Sequence, residues 1–373
     1  MQVLQRSRSI DGMRGFSVLL VIVGHLVAYR FPINNSRPLH EIGFSIELIP
    51  PLVLRILSPV GEIGVQIFFV ISGYLITTLL IREESLENRI SIRAFYIRRA
   101  FRILPAFGTF VLAALLLRNQ GLIYFHDEAF IRSALFVCNI SGYKCSWWFA
   151  HTWSLSAEEQ FYLVWPVMFI VLGKKRELGL ILLLMIFLLG AVSFWQLSSF
   201  ACIAIGALTA TSSRVQRILS KLATQWMISV SLAVLFFQAL IPGGLFGGSL
   251  IHCVRAIGPI LIAIVFFGTI ASKGPLVPLA NRPIIQNVGL ISYSVYLWQQ
   301  IGTAPEIWNT SVTGATSLYA NYPILASLFI VPAVISYFFI ERPFINRGRR
   351  LSDHLIYQSA KESAHKEFPV DPL

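Results

Sequence analysis

Apolar runs long enough, or nearly long enough, to cross a bilayer recur along the whole chain, and short arginine- and lysine-bearing segments interrupt them. A bilayer-crossing helix needs about 20 mostly apolar residues, fewer where neighbouring helices shield it. Ten runs qualify: 15–31, 58–81, 101–118, 158–173, 178–197, 199–212, 225–243, 254–272, 286–302 and 322–341, with 129–140 a weaker eleventh. Hydrophobic residues make up 55% of the 373, charged ones 13%, and the mean hydropathy is +0.69. Soluble domains carry about 25% charged residues. The expected fold class is therefore all-α, a polytopic transmembrane bundle of about ten spans, and membrane lipids are a partner. A net charge of +12 would suit nucleic acid, but the basic residues lie in short segments between apolar runs. That pattern points instead to loops held at anionic headgroups, so no nucleic-acid partner is expected.

The positive-inside rule settles the eleventh run. With Arg6 and Arg8 in the cytoplasm and 129–140 not spanning, the basic segments all fall inside. These are Arg82 to Arg102, Lys174-Lys175-Arg176, Arg214 to Lys221, Lys273 with Arg282, and Arg342 to Arg350. If 129–140 spans, every later cluster moves to the wrong side. Both termini are thus expected in the cytoplasm, and 119–157 outside. The first run carries His25 and lacks a small-x-small cleavage site, so it reads as a retained helix. Cys138 and Cys145 share the outer segment, where a disulfide and two free thiols are both open readings. Cys202 and Cys253 read as small apolar residues, and the four cysteines show no metal-ligand spacing. The polar residues after Phe344 read as a cytoplasmic tail, 345–373, disordered or surface-associated.

Ionisable groups inside spans are costly and rare, and each is a functional candidate. Arg14 and His25 are eleven residues apart, close to three turns, so they share a helix face and are separated along it by roughly 16 Å. A histidine there takes a proton from a hydroxyl or bonds a neighbouring helix; both readings stand. Asp11 is one turn from Arg14 and reads as its support. In the second run, Ser72, Tyr74 and the small residues read first as packing. Arg98, Arg99 and Arg102 open the third run, where they suit a polyanionic phosphate or simply mark the cytoplasmic side. His151 to Tyr162 (HTWSLSAEEQFY) leads into the fourth run. Ser156 with Glu159 makes a capping box there, while the carboxylates and Trp153 equally suit a sugar at the membrane surface.

These segments, in this order, resemble the acyltransferase 3 family of membrane-bound O-acyltransferases. The resemblance is carried by Ile10–His25 (DGMRG, then GH), Gly64–Ile76 (GVQIFFVISGYLI), Phe95–Pro105 (FYIRRAFRILP), His151–Pro166 (HTWSLSAEEQFYLVWP), Ile291–Trp298 (ISYSVYLW) and Ile340–Phe344 (IERPF). It covers residues 10 to 344. It implies an acyltransferase domain over 1–344 in a multi-pass protein of the bacterial inner membrane. The donor would be acetyl-CoA or a related cytoplasmic thioester, used as co-substrate. The acceptor would be a hydroxyl of a carbohydrate or lipid-linked glycan, such as lipopolysaccharide O-antigen, exopolysaccharide or peptidoglycan. The family's arginine–histidine motif falls on Arg14 and His25, its Arg-x-x-Arg motif on Arg99 and Arg102 with Arg98 beside them, and its outer glutamate on Glu159. Trp153, Ser154 and Tyr74 are the acceptor-contact candidates. Two positions depart from the family's pattern: Gln66, where an acidic residue is usual, and Gln299, where Trp298 is often followed by histidine. His25 would act as general base or transient acyl carrier. A transporter with a polar path lined by Arg14 and His25, and an acyl-translocating stage serving a separate transferase, are the alternatives.

Overall fold

A computed structural model describes residues 8–30, 60–140, 145–194, 196–238, 247–303 and 329–367. Among these residues every regular element is helical. In chain order they are α1 (Arg8–Arg30), α2 (Val60–Glu87), α3 (Ile92–Asn119), α4 (Asp127–Ala134), α5 (Trp147–Ala150), α6 (Thr152–Leu172), α7 (Arg176–Ala191) and α8 (Gln196–Thr211). There follow α9 (Ser213–Leu222), α10 (Gln225–Gln238), α11 (Gly247–Ile270), α12 (Val277–Ala280), α13 (Pro283–Leu290), α14 (Ser292–Gly302), α15 (Ile330–Ser336) and α16 (Arg342–Glu367). A 3-10 turn, Gly173–Lys175, joins α6 to α7, and a π-helical turn, Tyr337–Glu341, joins the last two.

The arrangement is inside-out for a water-soluble fold. Large apolar side chains form exposed stripes, with Leu163, Val167 and Ile170 along α6 and Leu182, Met185 and Leu189 along α7. Faces that wide are solvated by hydrocarbon, not water. By length and composition α1, α2 and α3 can each cross a membrane, and α9 with α10, bent by 87°, makes a fourth if taken as one span. The 129–140 run is reduced to the eight residues of α4. At about 1.5 Å per residue, α4 reaches less than half of a hydrocarbon core of about 30 Å. The 286–302 run is two helices broken at Ile291, and the 322–341 run is described only from residue 329. Cys138 and Cys145 form a disulfide with Cα atoms 6.0 Å apart. The segment after Phe344, expected to be disordered or surface-associated, continues as helix through Glu367. Helix α16 packs on α3 through Phe344 against Phe101, with Gly348 leaving room for the Phe101 ring.

In lipid, helices associate through close packing, which favours small residues at their crossings. A Cβ on Gly73 would strike the carbonyl oxygen of Ile203 on α8, and one on Gly206 would strike that of Val70 on α2. Backbone thus lies against backbone where α2 crosses α8. The small residues of the second run serve the packing role read from the sequence, and the crossing fixes the face of α2 that carries Ser72.

Candidate functional site

Two of the polar motifs sit deeper in their helices than the hydropathy of the chain suggests. Ser91 caps α3, its Oγ accepting from the Ala94 amide at 3.3 Å, so the helix starts at Ile92 and not near residue 101. Arg99 and Arg102 therefore lie roughly 10 to 15 Å along it. Helix α6 starts at Thr152 and not at 158. The capping box expected of Ser156 and Glu159 does not form, because Ser156 Oγ donates to the Thr152 carbonyl within the helix at 2.8 Å. Hydroxyls that bond their own backbone let a polar stretch stay helical, which is why the start was hidden. Tyr96 Oη donates to the Leu163 carbonyl at 2.6 Å, and the Arg99 guanidinium lies 4.4 Å from the Tyr162 ring centre. Helices α3 and α6 thus run antiparallel, and arginines and glutamates expected on opposite sides of the membrane meet inside the bundle.

They meet around a cavity of about 100 Å³, whose polar lining includes Arg14, Arg99, Arg102, Glu158, Tyr162 and Ser72. Ser154, Ser292, Tyr293 and Tyr296 complete the polar wall. Ser72 Oγ donates to Glu158 at 2.8 Å, and Tyr162 Oη donates to its other oxygen at 3.1 Å. Arg99 and Arg14 also lie in the field of Glu158. Tyr293 Oη donates to the Ile103 carbonyl at 3.0 Å and ties α14 to α3. Among the described residues, neither Arg99 nor Arg102 makes a hydrogen bond or an ion pair. Two guanidiniums facing a partly open cavity without an ion pair of their own suit an anion.

The other candidates fall around this cavity or away from it. Ser154 lines it and shares a 2.6 Å hydrogen bond with Tyr296. Trp153 stands behind Phe69, ring centres 6.0 Å apart. Glu159 is not part of the lining, although Arg99 and Arg102 act on it, and its Oε1 has no partner. Arg98 points away and pairs with Glu83 at 2.6 Å. Tyr74 lies on the opposite face of α2, against Phe266 and Phe267 of α11. Gln66 is buried and donates to Glu62 at 3.3 Å.

His25 belongs to a second cluster. Its ring centre is 5.8 Å from that of Trp147, it faces Gln299, and His151 lies close enough for the two imidazoles to repel when charged. Arg14 and His25 thus stand at two places along α1, Arg14 on the arginine cavity and His25 beyond its lining. Two residues were missed from the sequence. Glu158 looked no different from Glu159. Glu341, buried, accepts from Ser294 Oγ at 2.7 Å and faces Arg14 and Arg102. A carboxylate inside the last apolar run was the available signal, and the π turn that ends at Glu341 is a distortion often found at functional sites.

A family model described as an acyltransferase domain matches residues 7–342. A provisionally named O-acetyltransferase of Staphylococcus aureus is 30% identical over 91% of this chain and 57% of its own length. A provisionally named peptidoglycan O-acetyltransferase of Bacillus subtilis is also 30% identical, over 91% of this chain and 55% of its own. The peptidoglycan O-acetyltransferase OatA of Listeria monocytogenes is 29% identical over 50% of this chain and 28% of its own. The chain spans little more than half the length of the first two. No solved structure is a significant match.

Proposed function

The chain belongs to the acyltransferase 3 family of O-acyltransferases, and from that premise we propose that it carries an acetyl group from cytoplasmic acetyl-CoA to a hydroxyl of a cell-envelope glycan. Two guanidiniums outside any ion pair, Arg99 and Arg102, facing a partly open cavity carry this reading. They take the donor's phosphates, with Arg14 beside them. The pantetheine arm extends from there along α1 toward His25, roughly 16 Å away.

His25 Nδ1 has no partner and takes the proton of the acceptor hydroxyl. The hydroxyl oxygen forms the ester bond as the thioester C–S bond breaks, and the proton passes to the departing thiolate. An acyl-imidazole on His25 reaches the same products in two steps. The protein is read as a multi-pass protein of the bacterial inner membrane with ten spans and both termini cytoplasmic, which puts donor and acceptor on opposite sides. Peptidoglycan, the acceptor in the names of two relatives, is the glycan we favour over lipopolysaccharide.

The test uses inverted membrane vesicles that contain the chain and are supplied with acetyl-CoA labelled in the acetyl group. Label should enter glycan as alkali-labile ester, and His25→Ala should stop it. Glycan movement without acetyl-CoA consumption would favour a transporter. Unchanged ester formation by His25→Ala would overturn the scheme.

A further inference from the structure

Beside His25, the ends of α14 and α5 enclose a set of polar side chains that are sealed from solvent and left without hydrogen-bond partners. His151 is 1% exposed, and Gln299 and Gln300 are 0%. Both ring nitrogens of His151, both amide atoms of Gln299 and both of Gln300 are unpaired, as are Trp298 Nε1 and His25 Nδ1. Gln299 faces His25 without completing a hydrogen bond. The set is contiguous. Trp147 Nε1 donates to the Gln300 carbonyl at 3.3 Å, and the Trp147 ring meets His25. Phe110 touches both His151 and Trp298, at 5.3 and 5.9 Å between ring centres. Tyr296 Oη donates to the His151 carbonyl at 3.0 Å and also lines the arginine cavity, so it stands between that cavity and the cluster.

Buried polar atoms are nearly always paired, and each one left unpaired costs about 1–3 kcal/mol. A sequence selected for packing alone would place Leu or Met at 299 and 300. The chemistry of the cluster narrows what completes it. A primary amide offers two donors and an acceptor with two lone pairs, which match hydroxyl groups. Indole rings offer flat apolar faces with one donor. Among the described residues of the cluster there is no carboxylate and no guanidinium, whereas the arginine cavity concentrates positive charge.

We infer that His151, Gln299, Gln300, Trp147 and Trp298 form the acceptor subsite, which binds a neutral, hydroxyl-rich sugar ring and presents one of its hydroxyls to His25. The inference rests on the acyl-transfer reading and assigns that reading's second substrate to particular residues. The two amides grip hydroxyls next to the reacting one, and the indoles cover an apolar ring face. His151 is a positioning residue that holds the sugar opposite His25.

The test compares wild type with Gln299→Leu, Gln300→Leu and His151→Phe. Three readouts are taken in membranes: alkali-labile acetyl ester on envelope glycan, KM for acetyl-CoA, and thermal midpoint. We expect ester formation to fall at least tenfold in each variant, KM for acetyl-CoA to stay within twofold, and the midpoint to hold or rise. A rise in particular is foreign to a structural role, because an apolar isostere relieves an unpaired group. Unchanged ester formation would overturn the subsite. So would a rise in KM for acetyl-CoA that matches the loss, or unfolding of all three variants. Wild-type protein that makes no ester would sink the acyl-transfer reading itself, a result separable from all of these.

Discussion

The arginine cavity and the His25 cluster lie on the same helix, yet they treat polar groups in opposite ways. In and beside the cavity, polar side chains hold one another: Glu158 with Ser72 and Tyr162 and Tyr296 with Ser154 in its wall, and Glu341 with Ser294 outside its lining. Arg99 and Arg102 look outward from this frame. A charged frame whose members are already paired suits an anion that always docks in the same way. Around His25 the Gln299 and Gln300 amides and the His151 ring nitrogens are unpaired, and the walls are aromatic. Unpaired groups suit partners that come and go. On the proposed reading, the contrast makes α1 the link between a fixed electrostatic socket at Arg14 and an exchangeable hydrogen-bonding site at His25.

The largest effect should come from the exchangeable site. His25→Ala removes the only imidazole that α1 contributes, and general-base catalysis contributes about 10²–10⁴-fold. Ester formation should fall by at least about 10²-fold while acetyl-CoA binding, measured by KM on the residual activity, stays near wild type. A variant that lost donor affinity instead would merge the two sites. Next comes the frame of the socket. Glu158→Leu leaves the Ser72 and Tyr162 hydroxyls unpaired and removes negative charge beside Arg99. Each hydroxyl left unpaired costs about 1–3 kcal/mol. The thermal midpoint should drop by several degrees, with yield falling in step. An unchanged midpoint would show that Glu158 does not hold the frame.

Arg99→Ala sharpens the contrast further. A hydrogen bond to a charged group contributes about 1.5–3 kcal/mol, and each ~1.4 kcal/mol is tenfold in affinity. KM for acetyl-CoA should rise by about 10- to 100-fold with a smaller change in kcat. The reverse pattern would remove Arg99 from the donor site.

How much of this was legible in the sequence depends on what carries the signal. Long apolar runs announce themselves, so most helices were expected, and so was the failure of 129–140 to span. Ends were harder to place. Ser91 starts α3 and Thr152 starts α6 in stretches too polar to look like membrane helix. Those two displaced starts carried Arg99 and the glutamates from the expected membrane faces into the interior. Position along the helix also decides between neighbours: Glu158 and Glu159 differ by about 100° of helix rotation, and only the packed face distinguishes them. Tyr74 was misplaced for the same reason, being two residues from Ser72 and on the opposite face. The polar cluster beside His25 was invisible because Gln299, Gln300, His151 and Trp147 come from separate segments, and burial without a partner is a property of the fold alone.

The smallest expected effect tests whether the socket is selective or merely basic. Arg98, Arg99 and Arg102 look equivalent in a string of arginines, and a general positive field would use all three. The helix separates them. Arg99 and Arg102 face the cavity, whereas Arg98 reaches back to Glu83, where the two side chains keep 29% and 12% exposure. A partly exposed ion pair contributes about 0–1 kcal/mol. Arg98→Ala should therefore move the thermal midpoint by no more than a degree or two and leave KM for acetyl-CoA within twofold of wild type. If it instead raises KM as far as Arg99→Ala does, the donor senses the summed charge at the end of α3. The cavity would then be a focusing field and not a socket, and the division of α1 into a fixed site and an exchangeable one would lose its first half.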